Sequence, residues 1–583
     1  MATYQAPLRE IGFVLNDVLE IGRLAKLPAF ADSVGRETVD GVVEEAAKLI
    51  QEKIAPLNHP GDAQGCKWDN GEVKVPDGYA DAYKLYWQGG WVGLSAASEW
   101  GGQGLPYTLS KVVEEMVCSA CVAFALYPGL TSSCSEAIEA CGSAEQHKTY
   151  LPKLATGEWT GTMCMTEPQA GSDLAAVKTR AIPQADGSYK LEGNKIFITS
   201  GEHRMADNII HFVLARLPDA PAGIKGLSTF VVPKFMVKAD GSLGARNALR
   251  CTSIEHKMGI HGSCTCSLAF EGAQGWMVGQ PNQGIQNMFV MMNLARIMVG
   301  FQGLGQMELA TQNAIRYARD RKQGVAFNGG ATISEHPDVR RTLLTMKALT
   351  EGARVLGYET ALHVDLAAHE PDAAKKEEAQ DWVELTTPLV KAFLTDGAVD
   401  LGSMAVQVYG GHGYIREHGV EQILRDSKIL CLYEGTNGIQ AMDLVRRKLM
   451  LNNGRLPGRF FARAKATLAS AGKEFDFIAA PLKRAIEELE QTTAWLQQSF
   501  KSNPNDAGYG AVDFLRAFSL AVLGWNWLRM AQAAAKHADA DLRAAKRVTA
   551  QHFAARLLSQ VPALCANVRG SAEDFMKLPA EAL

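Results

Sequence analysis

Nowhere in its 583 residues does the chain hold an uninterrupted apolar run of membrane-spanning length. The nearest stretch, Phe518 to Ala535, is broken by Asn526 and Arg529 and reads as a buried helix. The first residues carry Glu10 and Asp17 and lack a basic segment feeding an apolar core, so neither a secretory signal nor a transit peptide is expected. The cytoplasm is the expected compartment, and a peripheral position at an inner membrane stays open. An excess of one charge is also missing. A formal net charge of -4 gives no reason to expect nucleic acid or an anionic membrane as the main partner. Metal-ligand spacing is nearly absent too. Cys118-Ser-Ala-Cys121 has the spacing of a redox or zinc pair, but it lacks a second pair nearby and lies in a helical apolar pattern with Val113, Met116 and Val122. The eleven cysteines are therefore read as free thiols in a reducing compartment, with Cys264 and Cys266 alternating as packed strand residues, and no metal site is expected. Repeats and low-complexity tracts are missing as well.

What is present is an ordinary globular balance, with 47% hydrophobic and 21% charged residues on a chain too long for one core. Three or four domains are expected. Residues 1–157 read as helical, from the spacing of Ile11, Val14, Leu15 and Val18 and of Val42, Val43, Ala46 and Ile50. A polar interval from Pro56 leads to a helix starting near Tyr79. Ser98-Glu-Trp-Gly-Gly-Gln-Gly104 invites a phosphate-loop reading, but it follows a helix and has no P-loop lysine, which favours a tight inter-helix turn. Across 158–280 the period changes to two, with strands predicted at 190–199, 209–215 and 226–233. From 281 to 452 the chain is helical again, with helices predicted over 282–321, near 337–368 and over 372–409. A further helical block follows over 459–583. The fold class is α+β: an N-terminal helical domain, a central small β-barrel or sandwich, a C-terminal four-helix bundle and an extra C-terminal helical domain.

The stretch Arg425 to Gln440 holds the most chemistry. Glu434 sits in an apolar run before a Gly435-Thr436 turn, with Thr436 placed to cap the next helix. Leu432 and Tyr433 should partly desolvate the carboxyl and raise its pKa toward the range of a general base. A carboxylate serving a helix terminus is the alternative reading of the same residues.

Tyr433-Glu-Gly-Thr436, Gln407-Val-Tyr-Gly-Gly-His-Gly-Tyr414 and Met165-Thr-Glu-Pro-Gln-Ala-Gly-Ser-Asp173 together resemble, in order, three signatures of the acyl-CoA dehydrogenase family. The opening residues and the added C-terminal block resemble its methylthiopropionyl-CoA dehydrogenase-like branch. The resemblance implies FAD as cofactor and α,β-dehydrogenation of an acyl-CoA thioester to the trans-2-enoyl-CoA. Glu434 would take the α-proton, flavin N5 would accept the β-hydride, and an electron-transferring flavoprotein would receive the electrons. Removing one donor to the developing enolate commonly costs about 3 kcal/mol. Some family members place the base before an arginine on the long helix. Here that residue is Ala295, before Arg296, which leaves Glu434.

The resemblance assigns flavin contacts to Met163, Met165, Thr166, Gly171, Ser172, Phe197, Thr199 and Thr436. It assigns a cradle supplied to the neighbouring subunit to Arg321, Gln407, Gly410 and Gly411, which implies at least a homodimer. Ser172, Asn293, Arg296 and Gly435 would contact substrate. The acyl group would enter near Ala125 to Leu130, where Pro128-Gly129 is expected to break or kink the helix. Gln323-Gly324, Pro337 and Gly438 depart from the family pattern. The substrate reading is a medium- or long-chain fatty acyl-CoA or 3-methylthiopropionyl-CoA. An acyl-CoA oxidase and a DNA-associated relative are the competing readings. The final block is only mildly basic, so nucleic acid is not expected. Lipid contact through one amphipathic helix of that block stays open.

Overall fold

The computed structural model describes residues 2–583 apart from Asp32. The chain divides into two compact units, Glu44–Met298 and a second made of Met1–Val43 with Val299–Leu583.

In the first unit, helices Tyr79–Gln88, Tyr107–Cys141 and Ala144–Leu154 precede the sheet. Ser143 and Gln146 form a reciprocal capping box that starts the last of these. The Pro56 interval holds more structure than its polarity suggests. Lys67–Asp69 and Glu72–Lys74 form a hairpin around Asn70-Gly71, both at positive φ (47° and 91°), which is the Asn-Gly chemistry of a two-residue hairpin turn. The Ser98–Gly104 loop is an inter-helix turn. A side chain at Gly102 would strike the Ala96 carbonyl oxygen at 2.1 Å, so the loop's glycines serve chain packing. The expected break at Pro128 is not there. Tyr107–Cys141 runs through it, and the one non-helical residue is Cys121 (φ -161°, ψ 92°). A proline inside a helix loses its N–H bond and crowds the carbonyl four residues back, and here the apolar packing around this buried stretch keeps it helical despite that cost.

The sheet has seven strands. Tyr189–Thr199, Ile209–Arg216 and Leu227–Pro233 fall where period two placed them. Leu227–Pro233 pairs with both Ile209–Arg216 and Thr265–Val278, while Arg180–Pro183 links Tyr189–Thr199 to Ile209–Arg216. The sheet thus closes on itself as a small barrel. Thr160–Cys164 adds to it in parallel to Ile209–Arg216. All eleven cysteines are free thiols, and Cys118, Cys121, Cys264 and Cys266 are buried.

In the second unit the long helices Gly284–Asp320 (from Val299 onward), Pro337–His369 and Ala373–Tyr409 form the bundle. Gly284–Asp320 is long and apolar enough to cross a membrane, and 72% of its apolar window is buried in the protein, as in a core helix. Gly300 and Gly303 let it press against Ala373–Tyr409. A Cβ at Gly300 would lie 2.3 Å from Val390 Cγ1, and one at Gly303 2.8 Å from the Leu394 carbonyl. The compact units group the two ends of the chain differently from the expected domains. The first 43 residues, read as the start of an N-terminal domain, belong to this unit, where Phe13 meets His537 edge-on at 6.1 Å and Glu10 pairs with Lys546. The block 459–583 belongs to it as well. Trp527 is fully buried and donates to the Ala348 carbonyl at 3.0 Å, and Arg529 meets Glu359 at 2.7 Å. Apolar periodicity finds helices but not which helix faces which, so this merger was illegible in the sequence.

Candidate active site

Glu434 stands on a turn between the short helical segment Ile429–Cys431 and the helix Asn437–Asp443. Its φ is +57°, and Gly435 follows at +84°. Two successive left-handed residues, one of them a glutamate, are costly, and such outliers persist where the surroundings over-determine them. Here they do. The fully buried Lys391 donates from Nζ to the Gly435 carbonyl at 2.8 Å and to Asn437 Oδ1 at 2.7 Å. The Asn437 amide donates in turn to Thr395 Oγ1 at 3.0 Å and to Asp396 Oδ1 at 2.7 Å. Gln440, also buried, donates to the Glu434 carbonyl at 3.2 Å, and the Tyr433 hydroxyl bonds to Gln302. The turn is thereby tied to Ala373–Tyr409. Glu434 is half-buried, with one carboxylate oxygen shut off from solvent. Thr436 caps Asn437–Asp443, accepting from the Ile439 N–H at 3.4 Å. The family resemblance pointed to Glu434, and the local Gly-Thr run to Thr436 as the helix cap. Neither reached Lys391, Asn437, Gln440 and Gln302, although a lysine inside the apolar run Leu389-Val-Lys-Ala-Phe393 was a readable signal.

The same unit holds a cleft of about 490 Å³ lined by Arg321, Gln323, Tyr409, Gly410 and Gly411 among others. Tyr317 and Tyr409 stack at 4.0 Å, and the Tyr317 hydroxyl bonds to His412 Nδ1 at 2.8 Å, shaping one wall. Gly410 ends Ala373–Tyr409 at φ +61°, and nothing lies within 4 Å of a Cβ built there or at Gly411. Arg321 is exposed one residue past Gly284–Asp320. Gln407 is exposed and lies outside this lining, one turn back on the helix. Gln323, one of the departures from the family pattern, lines the cleft.

In the first unit the loop after Thr160–Cys164 lies along Tyr189–Thr199. Ile196 N–H donates to the Thr166 carbonyl at 2.9 Å, and Lys195 Nζ reaches the Met165 carbonyl at 2.9 Å. Glu167 anchors the loop from inside, pairing with Lys195 at 2.8 Å and accepting from Thr179 Oγ1 and from the backbone N–H groups of Lys178 and Thr179. Burial works against the charge on Glu167. The Lys195 pair and these hydrogen bonds overcome it and hold the carboxyl at about 2. Above this anchor Phe197 is 59% exposed at φ +59°, a bare aromatic ring on a rigid strand, and Thr199 is half-buried on the same strand. Met163, Met165 and Thr166 are half-buried; Gly171 and Ser172 are exposed, with open space around Gly171. Asn293 is half-buried on Gly284–Asp320, Arg296 is buried, and Ala295 is fully buried.

Each surface, taken by itself, suits one part of a flavin dinucleotide. A flat apolar ring with edge hydroxyls suits the isoalloxazine, and a glycine-walled cleft with an exposed arginine suits a diphosphate.

Four family models match the chain in order. They are described as acyl-CoA dehydrogenase N-terminal domain (residues 37–158), middle domain (162–273) and C-terminal domain (282–449), and acetyl-CoA dehydrogenase C-terminal like (460–579). The chain is 42% identical to a 3-methylmercaptopropionyl-CoA dehydrogenase of Ruegeria pomeroyi, over 98% of this chain and 99% of that protein. It is 33% identical to a butyryl-CoA dehydrogenase of Syntrophomonas wolfei, over 99% of each. Among solved structures, an acyl-CoA dehydrogenase of Bacillus anthracis complexed with FAD superposes with a TM-score of 0.76 at 22% identity, covering 94% of this chain and 90% of that one.

Proposed function

The chain belongs to the acyl-CoA dehydrogenase family, and on that premise we propose how its own residues carry the reaction and which acyl group it takes. Its chemistry is the FAD-dependent dehydrogenation of an acyl-CoA thioester. The C–H beside a thioester is a weak acid, so proton removal needs a base held still and a donor for the enolate oxygen. We assign the base to Glu434. The single observation behind this is the left-handed turn that Lys391, Asn437 and Gln440 hold against Ala373–Tyr409, with a half-buried carboxylate at its apex. A carboxylate that only served the helix end would not need that strain, and Thr436 already caps the helix. The Glu434 backbone N–H is our assigned donor to the thioester oxygen, and Gly435, Ser172, Asn293 and Arg296 our assigned substrate contacts. FAD, held by the residues assigned next, would supply the acceptor for the hydride that leaves the β-carbon.

For the cofactor we assign Phe197 and Thr199 to the ring, with Met163, Met165, Thr166, Gly171 and Ser172 in the loop beside it and Thr436 on the turn. Arg321, Gly410 and Gly411 form the cradle for the diphosphate of a second copy, with Gln407 at its edge, so the working form is at least a homodimer. An electron-transferring flavoprotein is the proposed acceptor.

The substrate we propose is a short acyl-CoA, 3-methylmercaptopropionyl-CoA first. Support comes from full-length relatives named for that thioester and for butyryl-CoA. Anaerobic flavin bleaching across an acyl-CoA panel tests it. Fastest bleaching should come with 3-methylmercaptopropionyl- or butyryl-CoA; a clear preference for chains of about ten carbons or more would overturn the substrate assignment.

A further inference from the structure

Away from every residue assigned above, the second unit carries another cleft, of about 450 Å³. That is within the roughly 300–1,000 Å³ of small-molecule sites. It is built where the N-terminal segment Ile21–Lys26, the helices Pro337–His369 and Ala373–Tyr409, and the helix Arg455–Ala469 of the added block come together. Four cationic side chains line it, Arg23, Lys26, Lys375 and Arg463, against two carboxylates, Glu370 and Glu378. Among the described residues, Arg463 alone of the four has a carboxylate partner, Glu378 at 3.3 Å.

Arg463 lies over the Trp382 ring at 5.1 Å and donates from Nη2 to His363 Nε2 at 3.3 Å, while its Nη1 is buried with no hydrogen-bond partner. His363 is neutral, because burial pushes its pKa down to about 3, and its Nδ1–H donates to the Glu359 carbonyl at 2.7 Å. Arg23 is exposed; partial desolvation of its guanidinium, with Arg529 and Arg463 near, lowers its pKa against the pull of Glu359 and Glu20. A guanidinium N–H left unpaired in a buried position is costly unless an acceptor arrives. Leu27, Leu366 and Pro371 give the same cleft an apolar wall.

We propose that this cleft is a second ligand site, for a small phosphate ester whose phosphates meet Arg23, Lys26, Lys375 and Arg463 and whose carbon portion lies on the apolar wall. Guanidinium and ammonium groups converging on one concavity match the oxygens of a di- or pyrophosphate. The apolar wall favours an ester over the inorganic ion.

The test is calorimetric titration of the full-length, FAD-loaded enzyme with inorganic pyrophosphate and with ADP. Both should bind saturably, ADP the tighter. Lys26→Gln/Lys375→Gln, two exposed positions, should weaken both at least tenfold and leave acyl-CoA turnover unchanged. Arg463→Gln should weaken them further if it folds. No saturable binding to the wild type, or equal affinity in the double variant, would overturn the site. ADP binding no tighter than pyrophosphate would overturn the ester assignment.

Discussion

At the scale of single residues, the account turns on what holds Glu434 rather than on Glu434 alone. Lys391→Met removes the donor to the Gly435 carbonyl and to Asn437 while keeping a similar bulk in the bundle. Turnover should fall 10- to 100-fold with FAD content unchanged, since the base loses its bearing and not its chemistry. Single-turnover reduction kinetics on the loaded variant would read this directly. A second residue-scale prediction concerns Glu167. Its carboxyl titrates at about 2 in the folded protein against about 4.5 in an unpaired chain. A depressed carboxyl contributes stability that is fully present above the unfolded value and is lost as pH falls toward the folded one. The thermal midpoint should therefore drop as pH goes from about 4.5 to 2, and Glu167→Gln should start lower and flatten that part of the drop. Equal slopes for the two proteins would remove Glu167 as the anchor of the Met165–Ala170 loop. Residues like Glu434 and Thr436 were legible because their signature is local. Lys391 stood out as a lysine in an apolar run, but its role could not be read, because its partners lie 44 and 46 positions away.

At the scale of elements, the left-handed turn is the piece most exposed to substitution. A Cβ at Gly435 would meet the Gln440 amide at 2.9 Å in a backbone region that disfavours side chains. Gly435→Ala should cost about 1–2 kcal/mol and loosen the Glu434 carbonyl bond, seen as a lower chemical-unfolding midpoint together with slower flavin reduction. A variant as stable and as fast as the wild type would mean the turn carries no strain. Long, strongly periodic elements read well from the sequence: Pro337–His369 and Ala373–Tyr409 lie within a residue or two of their expected ends. Short elements did not. The Asn70-Gly71 hairpin was passed over as a polar interval because its strands are three residues each. Pro128 misled, because proline's local penalty was weighed without the packing that holds Tyr107–Cys141 in place.

At the scale of the whole molecule, the added C-terminal block shares a core with the bundle and with the N-terminal segment. Arg455 and Arg459 both reach Asp381 and Glu377, and Gly352 admits Leu523 and Trp527 within 3.1 Å of where its Cβ would be. A chain ended after Asn452 would bare that apolar face, so it should be recovered as aggregate rather than as a folded yellow protein. A soluble, FAD-loaded truncation would show the block to be dispensable. The proposed cradle ties cofactor retention to assembly. Arg321→Glu should lower FAD content at equal protein without unfolding the chain, while light scattering of the wild type should report a dimer or larger.

The most direct trial of the central claim is anaerobic mixing of FAD-loaded wild type and Glu434→Gln with 3-methylmercaptopropionyl-CoA and butyryl-CoA, following the yellow absorbance. Wild type should bleach within the mixing experiment, and the variant should stay yellow, with reduction slowed at least a thousandfold. A variant that bleaches at close to the wild-type rate would place the base elsewhere and contradict the account.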